Sequence, residues 1–391
     1  MAAGAELTPL SELPPITPED DARVLADITD VVVPLINRHI DPKRFKDPAL
    51  RDEFPTVTTY MGDGSNLWTP AMMVPWSAGD NFAEDYTWKP EDSPLPEAAR
   101  TSLWIGLLTE DNLPWYTEAI ERNFGSNEAL SFWNRVWTGE EGRHSEVMRG
   151  YMTVGRVVDP IQLEAARMRQ VVTAEVPDPP SVVESAVYVT IQELATRISH
   201  QNTGNLIAVT AEADSNLFPL NADGTALANV EPVLVRDMEP EEREAYLRNV
   251  GRTIMTRVAG DENKHFAFYA DLVGNGAMQT DPSLVVRAIE RQIRGFQMPG
   301  VGIEDFWDHA AIIADAGVYD LRIHHDKILQ PILRRWGFED VEGLDDEAER
   351  SRERTVVFMD SLDKLAARAE EKRDERRAAN PDADWVGKQA A

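Results

Sequence analysis

Residues 132–144 read FWNRVWTGEEGRH, and residues 260–265 read GDENKH. Each stretch carries a Glu three residues before a His: Glu141 with His144, and Glu262 with His265. Residues three apart share one face of a helix, so each pair can converge on one metal ion. A single such pair among seven histidines is near what chance supplies and reads as a surface contact. Two of them, each inside a long apolar helical pattern, say more. Working outward, Glu110 lies mid-way along the helical pattern before Glu141, and Glu193 mid-way along the one before Glu262.

The order is therefore Glu, Glu-x-x-His, Glu, Glu-x-x-His. Four helices bearing that set match a carboxylate-bridged di-iron or di-manganese site in a four-helix bundle. Carboxylates neutralise and bridge two cations, and imidazoles complete each metal while leaving positions open to oxygen. Glu193 sits among Val187, Tyr188, Val189, Ile191, Leu194, Ala195 and Ile198. A carboxylate there needs a partner or a metal. Pro114 follows Glu110 by one turn and offers no N–H to its carbonyl, so the helix should bend there. Asp261, just before Glu262, can accept a ring N–H from a ligand histidine.

The remainder of the chain fits this frame. Helical patterns are expected at about 18–36, 96–123, 127–154, 159–173, 181–210, 240–273, 282–297, 304–335 and 344–378. The 223–236 stretch alone suits a short hairpin. With 391 residues, 42% hydrophobic and 27% charged, the chain can bury a sizeable core. The absence of cysteine excludes disulfides, thiolate metal sites and iron–sulfur ligation. The net charge of −29 argues against nucleic acid as the main partner. No apolar run reaches transmembrane length. The polar start MAAGAELTPLSELPP is not a secretory signal, so a cytoplasmic location is expected. The expected organisation is a polar tail at 1–18, a helical domain at 19–340, and a charged helix with a disordered tail at 341–391.

Four segments carry a family resemblance: TEDNLPWY (109–116), FWNRVWTGEEGRH (132–144), IQELATRISHQNTG (191–204) and GDENKH (260–265). They resemble the metal-helix motifs of the soluble acyl-acyl-carrier-protein desaturases. FQMPG (296–300) and VYDLRIHHDKILQPILRRW (318–336) resemble the actinobacterial branch of that family. The resemblance implies an all-α fold with a ferritin-like di-iron four-helix bundle core and additional flanking helices. It implies Glu110, Glu141, His144, Glu193, Glu262 and His265 as iron ligands. Thr196 would stand beside the oxygen-binding face, and Asp261, Arg143 and Trp88 would form an electron route and the surroundings of the ligands. The implied activity is oxygen-dependent desaturation of a fatty acyl chain carried on acyl carrier protein. It uses two irons, with O2 as co-substrate, electrons from a ferredoxin-type donor, and a homodimeric enzyme.

Three departures stand out, one of them a Glu110-to-Glu141 interval shorter than in the plant enzymes. Gly142 occupies a position where the family usually has Asn. The Glu193-to-Glu262 interval is about twice the usual length, with the excess at about 210–240. Both carriers would be acidic, so a basic row of Arg287, Arg291 and Arg294, with Lys264 or Arg252 nearby, is the candidate docking surface. His324 and His325 read as a structural or interface pair, and His200 as a core histidine or one next to the ligands. The alternatives are another di-iron oxygenase or hydroxylase, a radical-generating reductase subunit, and a ferritin-like iron-binding protein. The reductase would begin its ligands with Asp and place a tyrosine beside the metals; neither feature is evident in the sequence.

Overall fold

The computed structural model describes residues 7–40, 68–83, 85–208 and 238–379, and among these residues every regular element is helical. Helix α1 is Pro18–Ile40. Thr17 and Asp20 cap it reciprocally, Asp20 N–H reaching Thr17 Oγ1 at 3.3 Å and Thr17 N–H reaching Asp20 Oδ2 at 3.1 Å. The expected helix at 96–123 is two helices, α2 (Glu97–Glu110) and α3 (Leu113–Phe124). The chain breaks at Asp111–Asn112, just ahead of Pro114, which cannot donate to the ladder. Glu110 is thus the last residue of α2.

Groups from three other segments hold this break. Asp111 accepts from Arg167 at 2.6 and 3.0 Å and from Ser145 at 2.6 Å. Asn112 accepts from Gln170 at 2.5 Å and donates to the carbonyl of Pro299 at 3.2 Å.

Helix α4 (Glu128–Val154) starts where Asn127 accepts from the N–H groups of Ala129 and Leu130. Helix α5 (Pro160–Thr173) starts where Asp159 does the same for Ile161 and Gln162. Helix α6 (Val182–Ala208) is the central helix: every residue from Ser181 to Thr196 is buried, as an apolar surface on all sides requires. Helix α7 (Pro240–Asp271) packs along α6 and continues through a π turn, Leu272–Ala277. Helices α8 (Pro282–Gly295) and α9 (Phe306–Asp315) follow.

The expected helix at 304–335 ends instead at Ala316–Gly317, where Gly317 takes a φ of +72° that suits only glycine without strain. Asp320 caps a new start, α10 (321–335), by accepting from Ile323 N–H at 2.8 Å. Helix α11 (Asp346–Ala379) lies along α8 and buries Thr355, Met359, Leu362 and Ala366. The suggested hairpin at 223–236, most of the 210–240 excess, and residues 380–391 lie outside the described residues.

Apolar residues form two clusters. One gathers α1, α3, α8, α10, the N-terminal part of α6 and the C-terminal part of α7. The other gathers α2, α5, the C-terminal parts of α4 and α6 and the N-terminal part of α7. Along α4 the first cluster ends at Trp137 and the second begins at Val147; along α7 the second ends at Val258 and the first resumes at Phe268. The polar motifs at 141–144 and 262–265 lie between them. Near one end Tyr151 of α4 rests on Gly251 of α7, its hydroxyl donating to the Leu247 carbonyl at 3.0 Å.

The arginine row on α8 is not a free docking surface. Arg291 pairs with buried Glu184 at 2.9 Å and donates to the carbonyl of Leu13. Arg294, only 7% exposed, binds Glu290 and the carbonyl of Thr8. Arg287 donates to its own helix at Ser283. Two of the three thus fasten the N-terminal segment and neutralise buried acids. Of the two flanking cations, Lys264 pairs with Asp261 at 2.7 Å and Arg252 is exposed.

Candidate metal centre

Four helices bring the six expected ligand residues together: Glu110 from α2, Glu141 and His144 from α4, Glu193 from α6, Glu262 and His265 from α7. All six are buried. They fall into two groups able to hold an ion, Glu110–Glu141–His144–Glu262 and Glu141–Glu193–Glu262–His265, and in each the donor atoms lie within 4.8 Å of one another. Glu141 and Glu262 belong to both groups. Each gives one oxygen to each side. His144 Nδ1 lies 3.2 Å from Glu141 Oε2 and 3.4 Å from Glu262 Oε1. His265 Nδ1 lies 2.7 Å from Glu141 Oε1 and 3.9 Å from Glu262 Oε2. Two carboxylates so placed would be able to bridge a pair of metal ions.

The donor set suits divalent cations. Glu141 Oε1, Glu193 Oε2 and His265 Nδ1 are buried without a hydrogen-bond partner, although they converge on one point. Burial first, and then the charges of Glu141 and Glu262, push the carboxyls of Glu110 and Glu193 well above the usual range. Burial opposes charge on His144 and His265 as well, yet Glu141 beside them holds both imidazoles well above their ordinary value. Were all four carboxyls ionised, facing one another in a dry core, they would need about four positive charges, which two divalent cations would supply.

His144 and His265 both turn Nδ1 inward and Nε2 outward, and each Nε2 faces an acid from the other motif. His265 Nε2 lies 2.9 Å from Glu140 Oε2. His144 Nε2 lies 3.8 Å from Asp261 Oδ2. Asp261 accepts from Trp68 Nε1 at 2.6 Å and pairs with Lys264 at 2.7 Å. Arg143 reaches the Trp68 carbonyl at 3.3 Å and lies over its ring at 5.1 Å.

The indole at Asp261 is therefore Trp68 and not Trp88. The expected Trp88 donates to the carbonyl of Arg156 at 2.9 Å, away from the ligands, in an open cleft with Arg100. Thr196 is buried one turn after Glu193, its hydroxyl donating to the carbonyl of Gln192 at 3.1 Å. His200 Nε2 lies 3.0 Å from Glu110 Oε1, its imidazole pushed down to about 4 by burial. Trp137 Nε1 donates to Glu193 Oε1 at 3.0 Å. Gly142 has room for a side chain, the nearest atom to an added Cβ being Leu113 Cδ2 at 3.8 Å.

The sequence reading missed Glu140 and His39. Glu140 precedes Glu141 as Asp261 precedes Glu262, so the offset that found one acid also marks the other. No spacing rule links His39, on α1, to the ligand helices. Tyr269, one turn past His265, is fully buried. It feels the charges of Glu193, His265 and Glu141, so a tyrosine does stand near the centre, while the first residue of the expected set is Glu110 and not an aspartate.

A sequence profile of the fatty acid desaturase family matches residues 55–218 and 243–387. The chain belongs to the fatty acid desaturase family. The match is interrupted between 218 and 243, where the long Glu193-to-Glu262 interval carries its excess. The chain is 31% identical to a Mycobacterium tuberculosis protein named as an acyl-[acyl-carrier-protein] desaturase, DesA1, over 322 residues, which cover 79% of this chain and 83% of that one. It is 26% identical to the chloroplastic acyl-[acyl-carrier-protein] desaturase 6 of Oryza sativa over 325 residues, covering 78% of this chain and 69% of that one. The X-ray structure of DesA2 from Mycobacterium tuberculosis shares the fold of this desaturase-family chain. It has a TM-score of 0.53 at 20% identity, over 84% of this chain and 98% of that one.

Proposed function

We propose that this chain is an acyl-[acyl-carrier-protein] desaturase that introduces a double bond into a fatty acyl chain. The observation that carries the reading is the double bridge: Glu141 and Glu262 each offer one oxygen to the His144 group and one to the His265 group. Family membership and the desaturase relatives agree with it. Glu110, Glu141, His144, Glu193, Glu262 and His265 would hold two irons. Bound there, the irons supply activation of O2 for removal of two hydrogens from an unactivated chain.

The protein's own residues shape the site. Trp133, Trp137, Phe268 and Tyr269 pack around it and exclude water. Trp137 and His200 fix one oxygen each of Glu193 and Glu110, leaving the other oxygen of each for metal. Thr196 lies one turn along from Glu193 as a polar group within an otherwise apolar wall. Trp68, Asp261 and His144 form the route by which electrons from a ferredoxin-type donor reach the centre, with Arg143 and Lys264 beside it.

Among the described residues no helix is long and apolar enough to cross a membrane, which accords with a cytoplasmic enzyme acting on a protein-borne substrate. A homodimer is supported by the outer face of α5, where Ile161, Met168 and Val172 are exposed. The deciding experiment supplies the iron-loaded chain with O2, a reductase system and acyl carrier proteins bearing saturated chains, and reads products by mass spectrometry. Loss of two hydrogens from the acyl group supports the reading. An added oxygen atom would make the chain a hydroxylase, and an unchanged substrate with bound iron would favour an iron-binding role.

A further inference from the structure

Helix α1 contributes none of the six expected ligands, yet its last turn reaches the centre. His39 Nε2 lies 2.9 Å from Glu140 Oε2, the same oxygen that His265 Nε2 meets at 2.9 Å. The His39 side chain is 4% exposed and that of Glu140 8%. The His39 ring stands edge-on to Trp133 with centroids 4.6 Å apart, and lies 5.8 Å from the His265 ring in a stacked pose. A carboxylate can only accept, so an oxygen shared by two ring nitrogens requires a proton on both. A proton on His265 Nε2 leaves Nδ1 as the metal-facing atom, and Nδ1 is the buried atom without a partner. The two ligand histidines differ here. His144 Nε2 has its acid at 3.8 Å, beyond hydrogen-bond reach, so only the His265 side is tightly braced.

We propose that His39 and Glu140 are positioning residues that lock His265 in its Nδ1-binding orientation, so that the N-terminal helix is coupled to one of the two metal positions. Glu140 alone could rotate toward Arg143, whose guanidinium lies 3.4 Å from Oε1; the second imidazole holds it against His265. Groups of this kind change metal affinity about 10- to 100-fold when removed. Coupling is reciprocal, so metal at the His265 position should also steady the end of α1. The inference rests on the di-metal reading above.

The test titrates metal-free chain with ferrous iron, and with cobalt(II) as a spectroscopic probe of coordination. The parent is compared with His39→Ala, His39→Gln and Glu140→Gln. In His39→Ala one of two metal equivalents should weaken about 10- to 100-fold while the other holds, and one component of the cobalt absorption should change. His39→Gln, which keeps an N–H donor, should recover most of the affinity. Amide exchange at the end of α1 should slow on metal addition in the parent and not in His39→Ala. Should His39→Ala fail to fold, Glu140→Gln carries the same expectation, because a neutral amide oxygen lacks the negative charge that strengthens both ring N–H bonds. Two equivalents bound with parental affinity and spectrum in both variants overturn the inference alone. A parent that binds no metal pair overturns the di-metal reading and the inference together.

Discussion

Gly251→Ala should weaken the joint between the two Glu-x-x-His helices, whereas Gly139→Ala and Gly260→Ala should strengthen those same helices. An alanine Cβ at 251 would stand 2.6 Å from Tyr151 Cζ and nearer still to the hydroxyl oxygen. Tyr151 is fully buried and donates to the Leu247 carbonyl. Its ring cannot withdraw without losing that bond or parting α4 from α7. Overpacking costs about 1–3 kcal/mol, and a buried hydroxyl left without its acceptor about 1–3 kcal/mol more. The gain from replacing a helical glycine offsets about 0.5–1 kcal/mol of this, which leaves a net loss of about 3 kcal/mol. At 139 and 260 no atom lies within 4 Å of an added Cβ, so only the helical gain of about 0.5–1 kcal/mol each remains. Urea denaturation of the metal-free proteins, followed by far-ultraviolet circular dichroism, measures all three without a contribution from ligand binding. A Gly251→Ala midpoint equal to the parent's, or a clear loss at Gly139 or Gly260, would refute the packing argument.

Arg291→Glu should cost about 3 kcal/mol, because it leaves Glu184 buried opposite a like charge; unchanged stability in denaturant would return Arg291 to the role of a free docking cation. His324 is pushed down to about 4 by burial and then by His325, so the folded state disfavours the charged ring. Its stabilising effect is complete above the unfolded value near 6.5 and is lost as pH falls towards 4, by about 3 kcal/mol in all. His324→Asn should flatten that part of the stability–pH profile, and an equally steep profile in the variant would assign the slope to other groups. Trp137→Phe removes the N–H from Glu193 and should loosen one of two metal equivalents with little change in helix content, as read by metal titration; a parental titration curve would show that this hydrogen bond does not orient the ligand.

The convergence of the two Glu-x-x-His pairs was legible because a helix converts spacing into direction: Glu141 with His144, and Glu262 with His265, need only the i, i+3 rule. A bend after Glu110 was also legible from Pro114, though not that the helix would end there and restart at Leu113. Trp68 and His39 were not, because their approach to Asp261 and Glu140 depends on how separate segments pack. Trp88 misled for the same reason: an indole in an irregular stretch carries no periodicity to say where it points. The arginine row on α8 had helical spacing, and Glu290, one turn before Arg294 on the same helix, was readable as a partner from the i, i+4 rule. Glu184 was not, because it meets Arg291 only once α6 packs on α8, so charge read along one helix overstated what was free.

The joint that follows Glu110 gives the centre one soft leg. Glu141, His144, Glu262 and His265 stand on continuous helix, stiff on both sides, and so does Glu193. Glu110 ends its helix, and what lies beyond it is held by Arg167, Ser145, Gln170 and the carbonyl of Pro299. Strain entering through α5 or through the segment at 297–303 therefore meets this joint first and alters the reach of the Glu110 carboxylate, while Ser145 ties the joint to α4 beside His144. Substitutions on that outer side of the molecule can tune the centre as a set-screw tunes an instrument, without any change to the frame that carries it.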